Sequence, residues 1–240
     1  MYCILTIVRY PKWFGWAGFF SMTFFRLPLF LNRKITFWKL LGSGKNGTFD
    51  KRPDWRQWAI LVSLPKLTVD SWQLSKEKNS DKIISHLSSF VSKYFQFFRC
   101  ETCTLILEPT EGHGKWDGKN CFGELPKKSE HEGMICVLTR ATIRLNKLNS
   151  FWKNVESVSS QMQDAQGFIT SAGIGEIPFI KQATFSIWQS KKHMKQFAYS
   201  MKEHAEVIKK TRKENWYSEE MFVRFKLIDS FGSLNGKKYF

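Results

Sequence analysis

A chain of 240 residues that is 42% apolar and 16% aromatic can bury a real core, as one large domain or as two modules of about 110 residues each, and this composition excludes wholesale disorder. The formal net charge of +16 admits nucleic acid, an anionic membrane surface or acidic ligands as partners. Lys and Arg are spread along the chain, and no RNA-recognition, homeodomain or zinc-finger pattern accompanies them. Nucleic acid is therefore not an expected partner. A basic surface, solvated or set against a membrane, is the better reading.

The five cysteines are odd in number and poorly spaced for a disulfide framework, which suits a reducing cytoplasm. Cys100 and Cys103 form a CxxC, but they lie in a strand-like run, where positions i and i+3 face opposite ways. No metal or redox role is expected of them.

In chain order, residues 3–9 read as a strand. Residues 13–31 are apolar enough to suggest a membrane anchor, but Arg26 and Pro28 interrupt them. They are expected to form a helix, either buried or lying on the surface. Residues 36–41 and 55–64 read as strands, 69–94 as a helix broken near Asn79, and 100–108 as a strand. The segment 122–133, charged and carrying Pro126, reads as a linker. Beyond it, 135–144 alternates apolar and polar residues as a strand does. Asn146 is expected to cap a helix running to Gln163. Strands follow at 168–172 and 183–188, then a helix at 191–213 and a last strand at 221–228.

The order is β-α-β-β-α-β, twice over. LLGSG before WAILVSL mirrors AGIG before ATFSIW, and GKWDGK mirrors GSLNGK. The expected fold is α+β: two ferredoxin-like modules, 1–121 and 134–240, fused into a pseudo-symmetric barrel like a dimeric α+β barrel.

On the helix 191–213, Met194, Phe197, Ala198, Met201, Ala205 and Ile208 share one apolar face at about 100° per residue. His204 lies on its flank. It could coordinate a metal through a neutral ring nitrogen, or it could be a half-buried histidine bonded to backbone. His193, on roughly the same stripe, is about 16 Å away along the axis and cannot share the ion.

GSG (Gly42–Gly44) and GIGE (Gly173–Glu176) could cradle an anion with backbone N–H groups, but Gly42, Gly44, Gly173 and Gly175 lack the spacing of a dinucleotide or P-loop fingerprint, and strand-end turns with positive φ are the expected reading. Arg212, Glu219, Glu220 and Arg224 could form a buried ion network. Arg224 shares a strand face with Phe222 and Lys226. Arg140 shares one with Leu138 and Thr142. On a cavity wall either arginine could hold a carboxylate; on an outer face either would simply be solvated.

Several segments together resemble the spheroidene monooxygenase family of carotenoid biosynthesis. They are FWKLLGSG (37–44), LTRATIR (138–144), FW (151–152), GIGE-P (173–178), Q-TFSIW (182–188), F-H-A-I-R (within 197–212) and W-SEE-F-RF (within 216–225). They span most of the chain, more densely in its second half. The resemblance implies a monooxygenase that places a hydroxyl or keto group near the end of an acyclic or related carotenoid. It also implies haem b, O2 and a ferredoxin-type electron donor.

By the same resemblance His204 becomes the axial iron ligand, with Arg140 and Arg224 as candidates for the propionates or the pocket. Trp38, Gly42, Gly44, Gly173, Gly175, Glu176, Trp188, Trp216 and Tyr217 are expected to line a substrate pocket. No catalytic side chain is singled out. The expected location is cytoplasmic, peripheral on the inner face of the membrane that dissolves the substrate. The alternatives are another haem enzyme on the same barrel (a dehydratase, peroxidase or haem-degrading oxygenase) or a non-catalytic haem- or ligand-binding barrel.

Overall fold

A computed structural model describes residues 1–45, 50–66, 80–200, 210–234, 236 and 238. The first half runs β1 (Tyr2–Arg9), α1 (Gly15–Phe24), α2 (Arg26–Leu31), β2 (Phe37–Gly44), β3 (Pro53–Leu64), α3 (Ser80–Leu87), α4 (Ser89–Phe97) and β4 (Glu101–Gly114). The second runs β5 (Ile135–Ile143), α5 (Leu148–Gln163), β6 (Phe168–Ile177), β7 (Lys181–Trp188), α6 (Lys191–Ser200) and β8 (Tyr217–Gly232).

Each half is an antiparallel sheet, ordered β4-β1-β3-β2 and β8-β5-β7-β6. The two close into one eight-stranded barrel through β2–β6 and β4–β8. The duplicated α+β barrel expected from the sequence is the observed fold. Alternate residues of all eight strands fill a single interior, among them Leu5, Leu41, Leu61, Leu105, Leu138, Ile174, Phe185 and Phe225. The other parity faces outward. In the first half it packs under the helices through Ile4, Ile60, Val62, Phe25, Val91 and Phe95.

The strands are longer than the sequence suggests. β4 reaches Gly114 and β8 reaches Gly232 because the two zip together across one seam, bulging twice. The four glycines are not positive-φ turns. They sit inside β2 and β6, and none of them has positive φ. At the other seam Gly42 pairs with Gly175 and Ser43 with Ile174. There a Cβ on Gly175 would lie 2.8 Å from the Lys181 carbonyl oxygen.

The mirrored motifs are also offset by two residues. Gly42 opposes Trp58 as Gly175 opposes Gln182, so the partner of Gly42 in the repeat is Gly175 rather than Gly173. Asn146 is not a cap: it lies in a 3-10 turn (Leu145–Lys147), and Lys147 precedes the helix with no side-chain cap bond.

The segment 13–31 is a surface-lying helix in pieces. Pro28 has no N–H to give the Phe24 carbonyl, and the helix breaks at Phe25. Ala17, Gly18, Ser21, Phe25 and Leu29 form its buried stripe. Of the expected helices 69–94 and 191–213, residues 69–79 and 201–209 lie outside the described residues.

Candidate functional site

The matched registers allow the two outer sheet faces to be compared position by position. In the first half Trp58, Ile60, Val62, Trp38 and Leu40 face outward. The equivalent positions in the second half hold Gln182, Thr184, Ser186, Ser171 and Gly173. Large apolar side chains have given way to small and mostly polar ones across two strands.

One cross-strand row runs Gly173, Thr184, Thr139, Phe222, His113 over β6, β7, β5, β8 and β4. At its centre Thr139 is exposed, although it sits mid-strand between buried neighbours. Its equivalent in the first half, Thr6, is 1% exposed and bonded to Thr104 Oγ1 at 3.0 Å. His113 stacks on Phe222 with ring centroids 5.7 Å apart.

Aromatic clusters stand at both ends of this strip. Trp188, Phe197 and Phe168 pack with Ile135, Val137 and Met194 at one end. Phe151, Trp152, Trp216 and Tyr217 pack with Ile143 at the other. Burial pushes the Tyr217 hydroxyl up to about 12, so it stays protonated as a donor. Trp188, Trp216 and Tyr217, expected in the pocket from the sequence, thus flank the strip, and Gly173 belongs to its floor.

Arg224 borders the strip on the row next to Phe222. Its guanidinium pairs with Glu111, which also accepts from Lys191 Nζ at 2.8 Å and from the Ser129 N–H and hydroxyl at 2.6 and 2.9 Å. Arg224 Nε is buried with no hydrogen-bond partner among the described residues. Burial lowers the Arg224 pKa from its ordinary value.

Arg140 lies elsewhere. It projects to the inner side of β5, with Cys136 and Leu138, and sits 1% exposed at the barrel mouth. There it pairs with Glu219 and lies 3.5 Å from Asp117 and 3.7 Å from Glu176. Lys39 binds Asp117 and Glu176, Lys181 binds Asp117, and Trp116 Nε1 donates to Glu176 at 2.6 Å. Three cations thus meet three anions, with Lys39 and Arg140 over the Trp116 ring.

Burial pushes the Asp117 carboxyl up, but hydrogen bonds from Lys181 and Lys39 outweigh this and hold it at about 2. Arg140 and Arg224 therefore point to opposite sides of one sheet and cannot grip the same group. Nor do Arg212, Glu219, Glu220 and Arg224 form one network: Glu219 faces in, Glu220 and Arg224 face out, and Arg212 is exposed. Glu176 belongs to the mouth network. Trp38 packs on the first sheet's outer face, Gly42 and Gly175 belong to the β2–β6 seam, and Gly44 pairs with Pro53 at the end of β2. His204 lies outside the described residues.

Cys103 sits in the barrel while Cys100 packs outside it, on opposite faces as their spacing requires. Burial pushes their thiols up to about 11 and about 12, far from reactive thiolates.

A spheroidene monooxygenase of Rhodobacter capsulatus is 34% identical over 219 residues, 90% of this chain and 86% of that protein. The chain belongs to the spheroidene monooxygenase family. A second member, from Cereibacter sphaeroides, is 34% identical over 218 residues, and the matched region spans only 63% of its length. No family model matches the chain. Among solved structures, an aldoxime dehydratase in complex with butyraldoxime superposes with a TM-score of 0.63 at 9% identity, over 95% of this chain and 79% of that one. At that identity the likeness concerns the fold alone.

Thr139, Thr184, Ser186, Glu111 and Lys191 were not singled out from the sequence. The available signal was the run of Ser, Thr and Gly at outward positions of neighbouring strands, where the first half carries Trp, Ile, Leu and Val.

Proposed function

We propose that the chain is a haem-dependent carotenoid monooxygenase, adding a hydroxyl or keto group near the end of a long polyene with O2 and electrons from a ferredoxin-type donor. The observation that carries the location is the small, partly polar strip on the second sheet's outer face, walled by aromatics. Membership of the spheroidene monooxygenase family carries the reaction class.

The residues present fit haem b on that face. A flat ring needs a floor without large side chains, and Gly173, Thr184 and Thr139 supply one. A ring carboxylate needs a cation, and Arg224 offers a buried guanidinium whose Nε has no hydrogen-bond partner among the described residues. Arg140, on the other side of the sheet, has no part in it. His204, which follows α6 in sequence, would hold the iron through a neutral ring nitrogen. Haem would supply the binding and reductive activation of O2.

The chain's own side chains would do the rest. Trp188 and Phe197 at one end, and Phe151 and Trp216 at the other, favour an apolar polyene and exclude water. The Thr139 and Thr184 hydroxyls can each donate to an oxygen held over the strip.

The test is the visible spectrum of protein expressed with ample haem, alongside His204→Ala and Arg224→Gln. The wild type should show a stoichiometric Soret band that moves on reduction and again with CO. His204→Ala should fold yet lose the band, and Arg224→Gln should retain haem more weakly. A normal spectrum in His204→Ala would refute the ligand assignment. A folded wild type that takes up no haem would refute the cofactor.

A further inference from the structure

We infer that the surface formed by α1, α2 and α4 is a docking face for an anionic lipid bilayer. The stretch Lys12–Leu31 is long and apolar enough to cross a membrane, with a mean hydropathy of 1.3. Here it lies on the first sheet instead. Gly18 meets Trp58 so closely that an added Cβ would stand 2.2 Å from its Nε1. Tyr94 Oη donates to the Ala17 carbonyl at 2.8 Å, and Asn32 Nδ2 to the Leu87 carbonyl at 2.8 Å.

With one stripe committed to the protein, the opposite stripe faces solvent, and it is the more apolar of the two. Trp13 is 80% exposed, Leu27 64%, Phe30 74% and Leu31 65%, with Trp16, Phe19 and Phe24 also exposed between them. Rings carry the patch onto α4: Trp16 packs on Phe98 at 5.7 Å, and Phe98 on Phe97, itself 80% exposed, at 5.0 Å. An apolar notch of about 400 Å³ opens between Trp16, Phe19, Phe20 and Trp55. A soluble monomer rarely leaves so continuous an apolar surface uncovered.

The charges around the patch select the occupant. Lys12, Arg26, Arg33, Lys34, Lys93 and Arg99 lie on these helices or within three residues of their ends, all exposed. No acidic residue occurs before Asp50, and none lies between Asp81 and Glu101. A second copy set face to face would bring like charges together. An anionic headgroup layer would neutralise them while the aromatic stripe enters the acyl boundary. The face would put the enzyme where a membrane-dissolved carotenoid resides. That consequence rests on the proposed reaction, whereas lipid binding is measured without turnover and stands or falls alone.

The experiment is co-sedimentation of the full-length protein with phosphatidylcholine vesicles, with and without phosphatidylglycerol. Two variants accompany it: Trp13→Ser/Phe30→Ser/Phe97→Ser, and Arg33→Glu/Lys34→Glu. The wild type should bind the mixed vesicles and bind phosphatidylcholine alone much more weakly, with salt weakening the binding. The triple variant should lose about tenfold or more in partitioning with unchanged circular dichroism, since all three side chains are mostly exposed. The charge variant should lose the preference for phosphatidylglycerol. Overturning results would be no vesicle binding by the wild type, binding that ignores the triple variant, or a concentration-dependent dimer that the triple variant dissolves while vesicles compete for nothing.

Discussion

Glu111 is the residue whose charge the structure can least spare. Its side chain is 1% exposed and neutralises two cations at once, Lys191 at 0% and Arg224 at 11% exposure. Glu111→Gln keeps the shape and removes the charge. Lys191 would then retain the Ser129 carbonyl and Glu132, which is 4.0 Å away and 65% exposed. Arg224 would retain no carboxylate among the described residues.

Removing one partner of a buried pair costs about 3–5 kcal/mol, because the other charge stays buried. At about 2–4 °C per kcal/mol for a chain of this length, the melting midpoint should fall by about 6–20 °C. Lys191→Met is milder, since Glu111 keeps Arg224 and both Ser129 donors, and it should cost about 1–3 kcal/mol. Combining the two should cost less than the sum, as the double change also removes a stranded cation. Calorimetry and urea unfolding of all four proteins supply the cycle. A fall of under about 2 °C for Glu111→Gln would show that Lys191 and Arg224 do not depend on this carboxylate, and the buried network would be wrong.

Two further substitutions probe the strip and the barrel mouth. Thr139→Phe places a ring over the strip's centre; stability should change by about 1 kcal/mol or less, while haem retention, read from the Soret band, is lost. If the variant holds haem normally, the group does not lie there. Asp117 has a folded value of about 2, below its ordinary 3.8. Its contribution is therefore present above pH about 4 and lost as pH falls through about 2. Asp117→Asn should flatten the acid limb of a stability-against-pH profile in that window. An unchanged limb would mean other carboxylates set it.

The fold was legible because both sheets alternate strongly and the element order repeats. Leu138 and Arg140 against Val137 and Thr139, and Phe222 and Arg224 against Val223 and Phe225, were assigned to opposite faces correctly from period alone. What period cannot supply is which face looks into the barrel. Arg140 and Arg224 therefore looked interchangeable as carboxylate holders, although one closes the mouth and the other borders the strip. The glycines misled for a related reason: their role is set by strand pairing across the seam, a partner far away in sequence. Glu111 and Lys191 pair across 80 residues. Only closure of the barrel brings β4 and the start of α6 together.

The central claim is oxygen insertion into a carotenoid at the face proposed to hold haem. The direct measurement supplies haem-replete protein with an acyclic carotenoid in phosphatidylglycerol-containing vesicles, a reduced ferredoxin system and isotopically heavy O2, then analyses the products by mass spectrometry. The expected result is a hydroxylated or keto carotenoid whose added oxygen is heavy and whose formation requires reductant. A product carrying oxygen from water, or no product from haem-replete protein in the presence of substrate and reductant, would contradict the account.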